Sequence, residues 1–121
     1  MLVTTLLTIH NQLKIYHWQT KGKGSYAQHQ ALGGAYDAFT ESIDEFVEVF
    51  MGKYGRVQGP FQIELSNYEG KNVEAFVNKS VEYLINDLPK ELDAKTDTDL
   101  LNIRDEMLAS LNKLKYLLTL E

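Results

Sequence analysis

The 121-residue chain contains no cysteine. That absence excludes disulfides, zinc ribbons and thiol catalysis, and it fits a reducing compartment. Proline is also scarce, with two residues, and most of the eight glycines cluster where helical segments should end. No apolar run exceeds a few residues, so nothing reads as a membrane span. Met1 to Leu13 carries no Lys or Arg, which leaves out both the positive n-region of a signal peptide and a basic arm. The 12 basic and 17 acidic side chains leave a net charge of −5. Duplex binding requires clustered Lys and Arg to displace counterions, and the nearest cluster is Lys21-Gly22-Lys23. DNA binding and membrane association are therefore not expected, and the expected location is cytoplasmic.

What is present is the composition of an ordinary globular domain, 44% apolar and 24% charged. Its length suits one domain spanning residues 1–121. Leu2, Leu6, Ile9, Leu13 and Tyr16 recur at helical steps, and this first helix stops at Lys21-Gly22-Lys23-Gly24. Ser25, three residues before Gln28, has the form of a capping box. It opens a second helix from about Tyr26 to Met51, with Gly52 placed to end it. Tyr54 to Lys71 reads as a connector with room for an extended piece at Phe61–Leu65. Asn72 can cap a third helix that carries Val73, Phe76, Val77, Val81, Tyr83, Leu84 and Leu88, and Pro89 ends it. Asp97 or Thr98 opens a fourth, striped with Leu100, Ile103, Met107, Leu111, Leu114, Leu117 and Leu118. The expected fold is all-α, an antiparallel four-helix bundle with a long connection between helices 2 and 3.

One constellation stands above this background. His17 and His29 bracket the first turn, so their imidazoles should lie at similar height in a helical hairpin. Asp44 and Glu48 are four residues apart and project from one face of helix 2. Imidazoles and carboxylates together suit Fe²⁺, Mn²⁺ or Zn²⁺. His29 and Asp44 stand 15 residues apart on one helix, roughly 22 Å along the axis, so one chain cannot place all four ligands on one ion. A shared site requires a second chain. Antiparallel twofold pairing of helix 2, with the axis near residues 36–39, would set His29 opposite Asp44 and Glu48 of the mate. Gly33-Gly34-Ala35 would then let two helices approach closely, although each mid-helix glycine costs about 1 kcal/mol relative to alanine. His10 has no partner in this pattern and is expected to be a packing or surface residue.

The ordered string Tyr16-His17-Trp18, His29, Tyr36-Asp37, Asp44-Glu45 and Glu48 resembles the Dps family of mini-ferritins. Its intervals of 12, 15 and 4 residues match the spacing of that family's His-Trp pair, second His and Asp-x-x-x-Glu. The resemblance covers residues 6–53 and continues in Asp93 to Leu101 and in Tyr116-Leu117-Leu118. It implies a ferritin-like bundle with a ferroxidase site at a dimer twofold, in a homo-oligomer that reaches twelve subunits. His17 and His29 would come from one chain and Asp44 and Glu48 from its neighbour, with Trp18 beside the site. Fe²⁺ would be oxidised there by peroxide or dioxygen and ferric iron stored, with zinc or manganese as substitute ions. The rival expectations are a non-catalytic ferritin-like metal-binding or scaffold protein, and a small helical adaptor.

Overall fold

The computed structural model describes residues 2–120. Among them there are four α-helices and no strand: α1 (Leu2–Gln19), α2 (Ser25–Tyr54), α3 (Asn72–Glu82) and α4 (Thr98–Leu117). Helix α2 is the spine, packed against α1 on one side and α4 on the other, while α3 packs on α4. No helix of the described residues is long and apolar enough to cross a membrane.

The α1 stripe faces inward as its spacing requires: Leu2, Leu6, Ile9, Leu13 and Tyr16 are all buried. They meet Leu32, Phe39 and Phe46 from α2, Val77 and Leu84 from the third segment, and Leu100, Met107 and Leu111 from α4. One continuous apolar core results, and burying each such side chain contributes about 1.5–3 kcal/mol against conformational entropy.

Two helix boundaries differ from the expected ones because groups of the connector take the capping side chains. Ser25 is the first helical residue, and Gly24 holds the cap position in a left-handed conformation, φ 79°. Gln28 does not fold back onto Ser25, because its side-chain oxygen accepts the Tyr68 hydroxyl of the connector. Asn72 likewise begins α3 instead of preceding it. Its amide accepts from Glu69 N–H at 3.1 Å and donates to Asn67 O at 3.0 Å, which ties down the connector.

Two stops also move. Helix α2 runs through Gly52 and ends at Gly55, whose φ of 91° suits only glycine well. Its N–H returns to Met51 O at 2.9 Å. Helix α3 gives way before Pro89 to a π turn (Tyr83–Asp87) and a 3₁₀ turn (Leu88–Glu91). Proline is the physical reason. Leu88 N–H reaches back five residues to Tyr83 O, and Pro89 has no N–H to offer Leu84 O. Arg104 of α4 donates to that carbonyl instead, at 2.8 Å.

The connector, residues 55–71, contains no strand. Its second half is strapped to α1 by side chains. The buried Gln12 amide donates to Ser66 O at 2.8 Å and accepts from Ser66 N–H at 2.7 Å. Gln19 accepts from Tyr68 N–H at 2.7 Å and donates to Asn67 at 3.1 Å. Each amide thus imitates a paired backbone group.

Candidate functional site

The first turn brings His17 and His29 into face-to-face contact. Their ring centroids lie 4.0 Å apart with the planes 14° from parallel. Each ring is bonded to the other's backbone. His17 Nδ1 lies 2.8 Å from His29 O, and His29 Nδ1 lies 2.7 Å from His17 O. A carbonyl has no proton to give, so both Nδ1 atoms must be the donors. In the neutral rings this fixes the tautomer and leaves both Nε2 atoms with a bare lone pair. Thr20 completes the clasp. Its hydroxyl donates to His17 O at 3.2 Å, and its oxygen stands 3.2 Å from His29 Nδ1.

Backbone carbonyls holding Nδ1–H are the arrangement that prepares an imidazole for a metal through Nε2. The stacking adds a constraint. An imidazole lone pair lies in the ring plane, with the metal about 2.0–2.1 Å from nitrogen. Two stacked rings with centroids 4.0 Å apart and planes 14° from parallel do not both aim a lone pair at one ion. The pair therefore suits two ions, one per ring, as in two-metal sites.

Gly33 makes this arrangement possible. A Cβ there would stand 2.7 Å from His17 Cε1 and 3.0 Å from its Nδ1. The glycine was expected to serve close approach of two α2 helices; in this chain its missing side chain is filled by the His17 ring. A Cβ on Gly34 would meet nothing within 4 Å. Neither glycine breaks α2, which is continuous from Ser25 to Tyr54.

Asp44 and Glu48 are exposed on α2, farther along the stripe that carries His29, Gly33, Tyr36 and Thr40. That continuity keeps Asp44 roughly 22 Å and Glu48 roughly 28 Å from His29 along the axis. Among the described residues no group of three or more His, Asp or Glu is placed to hold a metal ion. Within one chain the structure joins the two histidines and keeps the two carboxylates apart from them.

Trp18 is 64% exposed. The Lys14 ammonium lies 5.2 Å from its ring centre and 5.6 Å from that of Tyr36. A cation on these ring faces is attracted by their quadrupole and opposes removal of an electron from either ring.

Two further features bear on the site. The first is His10, expected to be without a partner in the pattern. Its ring stacks on Tyr36 with centroids 4.7 Å apart and planes 7° from parallel, and its Nε2 lies 2.8 Å from Thr40 Oγ1. The Tyr36–Thr40 spacing on α2 and the place of His10 seven residues before His17 were visible, but nothing local links them. The second is charge segregation. Residues 1–36 contain three lysines and no acidic residue, whereas Asp37, Glu41, Asp44, Glu45 and Glu48 follow on α2 with no base before Lys53. The signal was present in the sequence, masked by averaging charge over the whole chain.

The far end of α2 is built differently. The Asp97 side chain is fully buried and accepts Asp93 N–H at 2.8 Å and the Tyr54 hydroxyl. Lys53 lies 3.4 Å from it and also reaches Asp99 and Thr96 O, both at 2.9 Å. The Asp93 N–H is the main influence holding the Asp97 carboxyl below its ordinary range, with the Tyr54 hydroxyl next. This knot locks the end of α2 to the start of α4.

No curated protein and no solved structure is detectably similar to the chain. Residues 17–118, a span that starts at His17 and includes His29, Asp44 and Glu48, match one family model. The chain belongs to that family, described as a family of unknown function (DUF5856).

Proposed function

We propose that this protein is a Dps-like mini-ferritin that binds and oxidises Fe²⁺ at a site shared between two chains. The observation that carries the reading is the reciprocal histidine clasp. A clasp serving structure alone has no need of two histidines, yet here both rings are oriented through Nδ1 and both keep Nε2 for a ligand.

The missing carboxylates would come from a second copy. In antiparallel pairing about an axis near residues 36–39 of α2, the acid-free half of one chain faces the acidic run of its mate. This register keeps the two acidic runs from facing each other, as like charges would in the parallel one. Asp44 and Glu48 of the mate would then bridge and neutralise the two ions that His17 and His29 hold. Two Fe²⁺ ions would each give one electron to one hydrogen peroxide, whose O–O bond breaks to leave two hydroxide ions. Dioxygen is the alternative oxidant. Iron is the substrate here and, with storage of the ferric product, the cargo. Zinc or manganese could occupy the same ligands. The ferritin-like fold, a homo-oligomer up to the dodecamer and a cytoplasmic role in peroxide protection belong to this proposal.

A second reading is a non-catalytic ferritin-like scaffold. The clasp favours it in one respect: His17, His29 and Thr20 close the hairpin without any ion.

Anaerobic titration with Fe²⁺, followed by peroxide, separates the two. The ferroxidase reading predicts saturable binding near two ions per chain and a ferric absorbance well above a protein-free control. Absence of saturable binding and of that absorbance would leave the scaffold.

A further inference from the structure

We propose that His10 is a third imidazole ligand of the shared site, acting through Nδ1 on the ion-binding half that carries Asp44 and Glu48. The proposal rests on the metal-binding reading above and extends it to a residue outside the recognised pattern.

The argument begins with one hydroxyl proton. Thr40 Oγ1 donates to Tyr36 O at 2.9 Å, so its single proton is engaged. The contact of 2.8 Å between Thr40 Oγ1 and His10 Nε2 must then run from the histidine, with Nε2–H as donor. This is the opposite tautomer to that of His17 and His29. It leaves the lone pair on Nδ1, and no hydrogen bond reaches that atom among the described residues. The stack on Tyr36 fixes the ring plane. His10 thus has the three marks of a prepared ligand: a held orientation, a set tautomer and a bare nitrogen.

Its surroundings favour the neutral ring. Burial lowers its proton affinity first, and the Lys14 ammonium lowers it further. The Asp44 carboxylate opposes them, being close enough to raise it. Asp44 is one helical turn beyond Thr40, so His10 and Asp44 belong to one neighbourhood of the α1–α2 face. In the antiparallel pair, His29 of the mate sits across from Asp44. Thr40 and His10 then stand about 6 Å along the helix from that level, within reach of an imidazole side chain. The composite site would hold His17 and His29 from one chain, and His10, Asp44 and Glu48 from the other.

Cobalt(II) provides a visible probe, because its d–d absorption reports ligand number and type. Wild type should bind Co²⁺, and His10→Ala should bind it about tenfold to a hundredfold more weakly, with a red-shifted band. Thr40→Val, which removes the group orienting His10, should fall between them. Equal affinity and spectrum in wild type and His10→Ala would overturn the proposal while leaving the shared site standing. No Co²⁺ binding by wild type would overturn both. A second measurement needs no variant: long-range ¹⁵N–¹H correlation of wild type should show His10 as the Nε2–H tautomer, and added Zn²⁺ should shift its Nδ1. An Nδ1 resonance unmoved by Zn²⁺ would overturn the assignment.

Discussion

The two ends of α2 use polar groups in opposite ways. At the Tyr54 end, Asp97 is buried and surrounded by donors from Asp93, Tyr54 and Lys53. Both hydrogen bonds end on Oδ2, while Oδ1, which accepts none among the described residues, faces the Lys53 ammonium at 3.4 Å inside the fold. At the Ser25 end, His17 and His29 are only half-buried, and each gives Nδ1 to the fold while keeping Nε2. A carboxylate sealed inside the fold beside its donors and a cation specifies structure; oriented rings that stay partly exposed with a free nitrogen can also do chemistry. The contrast teaches where to look for function in this chain: at the imidazoles, away from the residue whose carboxyl is most strongly engaged.

The largest effect should come from the histidines. His17→Ala or His29→Ala is expected to bring peroxide-dependent Fe²⁺ oxidation down to the protein-free rate, with helical circular dichroism retained. Loss of helicity in both variants would assign the clasp to folding and erase the difference between the two ends.

Gly33→Ala comes next. Its new methyl group would stand 2.7 Å from His17 Cε1, so the ring must rotate away. Metal affinity should fall about tenfold, as when a ligand loses its support. Overpacking of about 1–3 kcal/mol is partly offset by alanine's helix preference of about 1 kcal/mol, so thermal stability should fall only slightly. Unchanged affinity would show that the His17 position is not the active one.

Asp97→Asn should do the reverse, lowering the melting temperature by several degrees while leaving Fe²⁺ affinity unchanged. The pH dependence has a definite sign. Asp97 is depressed in the fold, so its stabilisation is complete above the unfolded carboxylate value of about 4. It is lost as pH falls through the lower folded value. Below about pH 4, wild type should therefore lose stability more steeply than Asp97→Asn in acid titrations followed by circular dichroism. Parallel curves would remove Asp97 from its place in the comparison.

Gly34→Ala is the smallest and sharpest. Nothing lies within 4 Å of its added Cβ, so helix preference alone predicts a gain of about 0.5–1 kcal/mol in thermal unfolding. A loss accompanied by dissociation would place a second copy against Gly34.

Much of the fold was legible because helical periodicity is local. The stripe from Leu2 to Tyr16 and the opening of α4 at Thr98 lie where their spacing puts them. The capping residues were not legible, because Gln28 and Asn72 bond to the connector about 40 and up to 5 residues away, respectively. The site divided the same way. Intervals brought out His17, His29, Asp44 and Glu48, but the space Gly33 leaves for a ring, and the tautomers of three histidines, depend on contacts between α1 and α2. No pattern along one helix contains them.

The shared site is tested most directly by mixing two dead variants, the His17→Ala/His29→Ala and Asp44→Ala/Glu48→Ala doubles, each inactive alone. They are refolded together in equal amounts and assayed for Fe²⁺ oxidation. In a twofold pair, random mixing makes half the dimers hybrid, and each hybrid has one complete site, so about a quarter of wild-type activity should return. Properly mixed assemblies that recover no activity would contradict a site built from two chains.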